Sequence, residues 1–360
     1  MIYAILLAIL LVALVLLLAW QLLRWLPAGA DRLKPLPYVI ALLPIAPFCA
    51  ALGLVASAVA AVATRSQNEF YKSYLFLCVA YALLFVISLK SYTPYLAVRL
   101  WRIKQEKSPE SSLELSLEKS REIRVMTLNC RYGHANASQI IKLAKTHKID
   151  TILLQEVSKK LVKNLEKLGI KHDFAHVQLG SANGHENGGF NAIYTRLSNV
   201  KSFGKSIKID AANVPIVTAV TCDSSAENLL ITFASAHPKS PMRGCAAWSN
   251  GIMALAKIGE NHNENNVKDV KKVTIIGGDL NSTPDHPSFR ALLKSGFLDA
   301  SMQIGKRLKT WPTWQKWPNL ALDHVLVKST GCNAIATEQR AIRVDGSDHF
   351  ALIVCVSIPL

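Results

Sequence analysis

The chain has 360 residues, half of them hydrophobic, and its mean hydropathy of +0.22 argues against a purely soluble protein. Its length fits about two domains. A net charge of +16 suits contact with polyanions (nucleic acid, anionic headgroups or phosphate esters) and excludes none of the three. Seven cysteines, an odd and scattered set without metal-type spacing, read as buried thiols more than as a disulfide framework.

The apolar excess lies at the front. Ile2–Trp20 is an uncharged run long enough to cross a bilayer as a helix. It has no basic n-region and is too long for a signal peptide. Residues 38–63 form a second uncharged run, interrupted by Pro44 and Pro47, and residues 73–89 a third, flanked by Lys72 and Lys90. The expectation is a membrane region over residues 1–90 with three transmembrane helices, at about 2–20, 38–63 and 73–89. Arg24, Arg32 and Lys34 follow the first run, and Lys90, Arg99, Arg102, Lys104 and Lys107 follow the third. By the positive-inside rule the C-terminal domain of this multi-pass chain faces the cytoplasm, although Arg65 and Lys72 pull the other way.

Residues 91–121 read as a juxtamembrane linker, polar and rich in Ser and Glu from Gln105 onward. From residue 122 the texture changes to short apolar runs separated by turn signals. Strands are expected over 123–129, 150–155, 190–195, 216–221, 229–236, 273–276, 322–328 and 350–356. Helices are expected over 137–147, from Ser158, over 242–260 and over 288–293. Such alternation over about 240 residues indicates one α/β domain. The Gly- and Asn-rich stretch 180–189, with His185 and Glu186, reads as a surface loop, because it neither leaves a clear strand nor opens a helix.

Polar residues recur where these strands begin or end. Asn129 closes the first strand and Gln155-Glu156 the second. His237 follows a later one, Asp279 and Asn281 another. Asp323-His324 opens a strand, and Ser347-Asp348-His349 opens the last. A single residue of this kind is as readily a cap or a turn former. Six together are what metal-assisted phosphoester hydrolysis needs. Carboxylates and carboxamides suit a hard divalent cation, a base activates water, and imidazolium or amide donors meet the developing charge. Zinc is less favoured, because the chain has no His-x-x-x-His or Cys-x-x-Cys pair.

Five motifs carry a resemblance. Met126-Thr127-Leu128-Asn129, Leu154-Gln155-Glu156, Gly278-Asp279-Leu280-Asn281-Ser282-Thr283-Pro284, Leu322-Asp323-His324-Val325 and Ser347-Asp348-His349 stand in the order seen in the endonuclease/exonuclease/phosphatase superfamily. Its bacterial membrane-anchored members are the most similar, including the segment Thr310-Trp311-Pro312-Thr313-Trp314. The resemblance implies a four-layer α/β sandwich over residues 122–360, two packed mixed sheets with outer helices. It further implies Mg²⁺ or Mn²⁺ held by Glu156, with Asn129 beside it and Asp348 in support. Asp279 would orient or deprotonate water, and Asn281 would hold a phosphate oxygen. His349 would donate to the phosphate with Asp323 fixing its tautomer, and His237 would contact the phosphate or act as an acid. Asn191 matches a family Asn more weakly.

Arg131 stands where abasic-site endonucleases carry an acid, which counts against that activity; it could contact a phosphate or be a surface charge. His324, adjacent to Asp323, should face away from the site. Trp311, Trp314 and Trp317 could stack on a base or an acyl chain, touch the membrane, or only cover the loop.

The expected function is a membrane-anchored, divalent-metal-dependent phosphoesterase acting on a lipid or small-molecule phosphoester. Its expected partners are that substrate and the bilayer; nucleic acid is the alternative substrate, and no obligate protein partner is evident. Residues 121–360 hold 30 Lys and Arg against 19 Asp and Glu, which keeps a nuclease in play. A non-catalytic scaffold is the third reading, and the intact Glu156, Asp279, Asn281, Asp323 and His349 set argues against it.

Overall fold

The computed structural model describes residues 1–106, 120–181, 189–202, 206–222, 228–258, 270–315 and 319–360. The chain separates into two compact units. One comprises Met1–Pro94 with Pro284–Pro287, the other Tyr95–Thr283 with Ser288–Leu360.

In the first unit, helices Ile2–Leu22, Ala46–Ala63 and Asn68–Ser88 pack side by side. Three segments, Ile2–Trp25, Leu36–Ala63 and Asn68–Ser91, are long and apolar enough to cross a membrane. The second expected span is not one continuous helix. Leu36–Ala41, a single turn at Leu43–Ile45 and Ala46–Ala63 follow one another, broken where Pro44 and Pro47 remove backbone donors. Gly53 lets the Tyr81 ring approach within 2.5 Å of where a Cβ would stand. Tyr74 and Tyr81 donate their hydroxyls to the carbonyls of Tyr3 and Leu10, both at 2.7 Å. Val12, Val15, Leu52, Val59, Phe76 and Val86 instead stand exposed, as lipid-facing side chains would. Arg24, Asp31 and Asp285 are charged side chains buried here. Arg24 Nε lies 3.3 Å from Asp285 Oδ1, and Ser91 Oγ accepts from the Arg24 guanidinium while donating to Asp285.

In the second unit, twelve strands among the described residues form two six-stranded sheets. They are β1 (Ser120–Asn129), β2 (Thr151–Val157), β3 (His176–Leu179), β4 (Phe190–Thr195), β5 (Val200–Ser202), β6 (Ile216–Cys222), β7 (Asn228–Ser235), β8 (Lys271–Asp279), β9 (Leu298–Asp299), β10 (Asp323–Thr330), β11 (Ile335–Arg343) and β12 (Phe350–Pro359). The orders are β11-β12-β1-β2-β4-β3 and β5-β6-β7-β8-β10-β9. Each sheet has one parallel pair at its centre, β1 with β2 and β7 with β8, and its other pairings are antiparallel.

Alternation along the strands builds the layers. In β1, Ile123 and Val125 face the second sheet, where they meet Phe233, Ile275 and Val327. Met126 and Leu128 turn outward under helices Ala137–Thr146 and Lys159–Lys167. On the far side Ile276 and Leu326 pack beneath Trp248, Ile252 and Phe289 of helices Cys245–Ala254 and Pro287–Lys294. Each fully buried aliphatic or aromatic side chain contributes about 1.5–3 kcal/mol. The unit is therefore a four-layer sandwich of helices, two mixed sheets and helices, as the sequence predicts.

Several details depart from the sequence reading. Strands β3, β5, β9 and β11 were not expected: three are very short, and β11 is exposed along much of one face. The helix expected over 242–260 runs only over Cys245–Ala254, after a single turn at Pro241–Arg243. Of the expected linker, Thr93–Glu106 is helical, and residues 107–119 lie outside the described residues, as do His185, Glu186 and Trp317.

Candidate active site

The topology gathers polar residues at one end of both sheets. The parallel strands β1 and β2 end at Asn129 and beside Glu156; β7 and β8 end next to His237 and at Asp279. Strands β10 and β12 run antiparallel to these, so their first residues lie at the same end. Asp323 pairs directly with Asp279 in the ladder, and His349 precedes Phe350 at the start of β12.

Backbone conformation re-aims several of these residues. Arg131, Tyr132, Glu156 and Asn281 all adopt left-handed φ, at 44°, 55°, 51° and 48°. Non-glycine residues rarely do so, and such strain concentrates at functional sites. Glu156 sits in the register shift between Leu154 and Val157 in the β2–β4 ladder, a bulge that turns the strand end. Gly278 answers another constraint. A Cβ there would lie 1.8 Å from the Ala236 carbonyl oxygen, so only glycine lets β8 pass β7 so closely.

Asp279 is the hub. Asn129 Nδ2 donates to its Oδ2 at 3.0 Å, and the Asn281 backbone N–H to its Oδ1 at 2.8 Å. His237 Nε2 lies 3.6 Å and His349 Nε2 3.5 Å from Oδ2. His237 Nε2 is also 3.7 Å from Glu156 Oε1. His349 Nδ1 meets Asp323 Oδ2 at 2.8 Å. Asn129, Asp279, Asp323, His237 and His349 are all buried. The Ser347 hydroxyl donates to the Asn129 carbonyl at 2.6 Å and accepts from the His349 N–H, fixing both loops. Below the site, Gln155 donates to Ser235 Oγ, which donates to the Leu154 carbonyl, stitching the two sheets together.

Electrostatics separates the two histidines. Burial opposes charge on both. At His349 it is outweighed by Asp323 and Asp279, which raise the imidazole to about 10. His349 is therefore an imidazolium at neutral pH, held between two carboxylates. At His237 burial wins and the shift is downward, with Asp279 opposing and His349 and Arg243 adding to it. Glu156 is pushed up to about 6, chiefly by burial and further by Asp279, against hydrogen bonds from the Tyr132 N–H and Asn129.

Several of these groups could hold a cation. Asp279, Asp323 and His349 place ligand-type atoms within 4.8 Å of one another. A proton already satisfies that triple, however, and an imidazolium is no metal ligand. The uncompensated negative charge lies between Glu156 and Asp279, beside a neutral His237. Hard oxygens from Glu156 and Asn129 there suit a Mg²⁺-like ion better than a thiophilic one.

The remaining expected residues lie further out. The Asp348 carboxylate accepts from Trp311 Nε1 at 3.4 Å and supports the charge on His349. Trp311 lies 6.4 Å from the His349 ring and packs edge-on against Trp314, which is exposed. Arg131 is exposed, and its backbone N–H caps Asn129 Oδ1 at 2.9 Å. Asn281 Nδ2 donates to the Pro238 carbonyl. Asn191 is fully buried and donates to the Asn213 carbonyl, outside this cluster. His324 faces away, as expected from its place beside Asp323: Nδ1 meets Asp299 at 2.6 Å and Nε2 the Ser282 carbonyl at 2.9 Å. The sequence reading missed Thr310, whose hydroxyl accepts from the N–H groups of Leu322 and Asp323. It also missed Tyr132 and Arg243. A polar residue in a loop gives no signal of its partner until the loops are placed.

A buried imidazolium–carboxylate pair, a second carboxylate able to polarise water, and a cation site beside it are the equipment of a phosphoester hydrolase. Residues 126–349 match the Endonuclease/Exonuclease/phosphatase family, and the chain belongs to that family of hydrolases acting on phosphoester bonds. Among solved structures it is similar to humanized D. rerio TDP2 carrying 14 mutations, at 19% identity and a TM-score of 0.52 over 65% of this chain and 98% of that one. D. rerio TDP2 complexed with a single-strand DNA product is similar at 18% identity and a TM-score of 0.51, over 65% and 98%. A mannosyl-6-phosphatase from Bacteroides thetaiotaomicron VPI-5482 shares 16% identity over 65% and 99%, with a TM-score of 0.46. No curated protein sequence matches the chain.

Proposed function

We propose that this chain is a membrane-anchored, divalent-metal-dependent phosphoesterase whose substrate is a lipid or small-molecule phosphoester. The observation that carries the reaction is the convergence of Glu156, Asn129, His237, Asp279, Asp323 and His349 at one end of both sheets. Glu156 and Asn129 would hold the cation, which would supply Lewis-acid polarisation when bound; Asp348 supports the adjoining loop. Asp279, fixed by Asn129 and the Asn281 N–H, accepts the proton of an attacking water. Asn281 meets a phosphate oxygen. His349, charged and locked by Asp323, donates to the oxyanion as it develops. His237, neutral beforehand, contacts the phosphate.

Anchoring is supported by the outward apolar faces of three long helices. By loop charge the domain faces the cytoplasm. A second reading, nuclease, is favoured by the excess of Lys and Arg in residues 121–360. The test is hydrolysis by the full-length protein in detergent, with Mg²⁺ or with chelator, of bis(p-nitrophenyl) phosphate, phosphoinositide, sphingomyelin and plasmid DNA. Metal-dependent release that disappears in Asp279→Ala supports the mechanism. Equal rates for that variant and the wild type on every substrate would sink it. Turnover of DNA alone would replace the lipid reading with the nuclease one.

A further inference from the structure

The segment Pro284–Pro287 belongs to the apolar unit, yet it continues directly from Asp279-Leu280-Asn281-Ser282-Thr283 of the candidate active site. Within the apolar unit, Arg24, Ser91 and the Pro37 carbonyl grip it. Arg24 Nη2 donates to Ser91 Oγ at 2.6 Å, and Ser91 Oγ stands 3.0 Å from both carboxylate oxygens of Asp285. Arg24 Nε closes the triangle on Asp285 Oδ1 at 3.3 Å. On the next residue, His286 Nε2 donates to the Pro37 carbonyl at 2.9 Å. Arg24, Ser91, Asp285 and His286 are all buried.

The gripping groups come from matching ends of the three apolar segments. Arg24 stands at the end of the first, Pro37 at the start of the second and Ser91 at the end of the third. Segments that cross a bilayer in succession reverse direction, so those ends share one side. A buried ion pair adds little net stability over apolar packing of similar volume, although breaking it on one side is costly. What it supplies instead is one fixed geometry for the chain it holds.

That geometry bears on Asn281. Its left-handed φ of 48° is a state that persists only where the surrounding chain over-determines it. Upstream, the chain is held by strand β8, by the Asn281 N–H on Asp279 and by the Leu280 N–H on the Leu322 carbonyl. Downstream, the Ser282 carbonyl accepts from His324, and Asp285 and His286 are fixed within the apolar unit.

We propose that Arg24, Ser91 and Asp285 form a latch that positions Asn281, making the apolar unit part of the catalytic apparatus and not only an anchor. All three are positioning residues that act on the substrate phosphate through Asn281, whose own role rests on the phosphoesterase reading.

The full-length protein in detergent with Mg²⁺ is assayed on bis(p-nitrophenyl) phosphate, as wild type and as the paired variant Arg24→Leu with Asp285→Leu, which leaves neither charge unmatched. Each is also made with Asn281→Ala. Ser91→Ala carries the same test should the paired variant not fold. Loss of the latch should lower kcat about tenfold at nearly constant KM, as for a misplaced group that acts in the transition state. In the Asn281→Ala background the same change should cost little more, because effects that act through one residue are not additive. An unchanged kcat, or the same fold-loss in both backgrounds, would overturn the inference. Where turnover is too low to compare, in the wild type or in Asn281→Ala, hydrogen exchange decides. The Leu280 and Asn281 amides should exchange about tenfold faster in the latch variant while strand β12 keeps its rates. Equal rates at those two amides, or a parallel rise in β12, would refute the latch. The phosphoesterase reading stands or falls separately, on the Asp279→Ala assay.

Discussion

Glu156 and Asp279 repel each other within a buried site, and that repulsion is what a cation would relieve. Between about 4.5 and about 6 folded Glu156 binds a proton that the unfolded chain releases. Its contribution to stability therefore falls as pH rises through that window. Glu156→Gln should remove the repulsion. The variant should show a higher denaturation midpoint than wild type in chelator at pH 8, and should lose metal stimulation of hydrolysis; a lower midpoint would contradict the electrostatic argument. Metal affinity of the wild type, followed by calorimetry, should weaken as pH falls through about 6. His349 has the opposite sense. Its folded value of about 10 lies above the ordinary 6.5, so its contribution is complete below 6.5 and is lost as pH rises through 10. Asp279→Ala should cost about 10²–10⁴-fold in kcat, the usual range for a lost general base.

Within the elements, His324 shows how much of a site motif is scaffolding. Its imidazole contacts Asp299 and the Ser282 carbonyl and packs tilted against Phe289, with ring centroids 4.6 Å apart. Asp299 in turn caps the helix Ala300–Ile304 through the Met302 N–H. Asp299 and its hydrogen bonds raise the His324 pKa although burial opposes this. Its stabilisation is accordingly full below the unfolded histidine value and is lost as pH rises through the folded one. His324→Leu leaves the Asp299 carboxylate buried without its imidazole partner, and should lower stability by about 3–5 kcal/mol in chemical denaturation. A change under 1 kcal/mol would mean the pair is not holding the strand end. Such a partnership is invisible in the sequence. The strand beginning at Asp323 was legible from its apolar alternation, and the facing of His324 from its adjacency to Asp323, but Asp299 belongs to a two-residue strand that no periodicity announces. Asn191 illustrates the converse. A motif match suggested a site role, and the fold instead ties its amide to the Asn213 backbone.

For the whole molecule, the three apolar segments and the strand-end polar residues were both readable because each follows a strong pattern, uncharged length in one case and strand termini in the other. The mouth of the site was not, since Tyr132, Arg243 and Thr310 act through partners distant in the chain. The full-length protein should float with lipid vesicles and resist extraction by high salt, as expected if burial of Val12, Leu52 and Phe76 holds it rather than surface charge; release by salt would make it peripheral. Inside the apolar unit, the Arg24–Asp285 pair is buried. Removing either side chain alone should deplete soluble, monodisperse protein more than replacing both with apolar residues does. The left-handed residues around the site carry a last consequence. Glu156 occupies a backbone state that glycine and asparagine enter far more readily than a glutamate does, so Glu156→Asn is a substitution that relieves backbone strain and buried charge together. A population of variants selected only for heat tolerance would therefore drift toward inert proteins, and Glu156 is where that drift would first be seen.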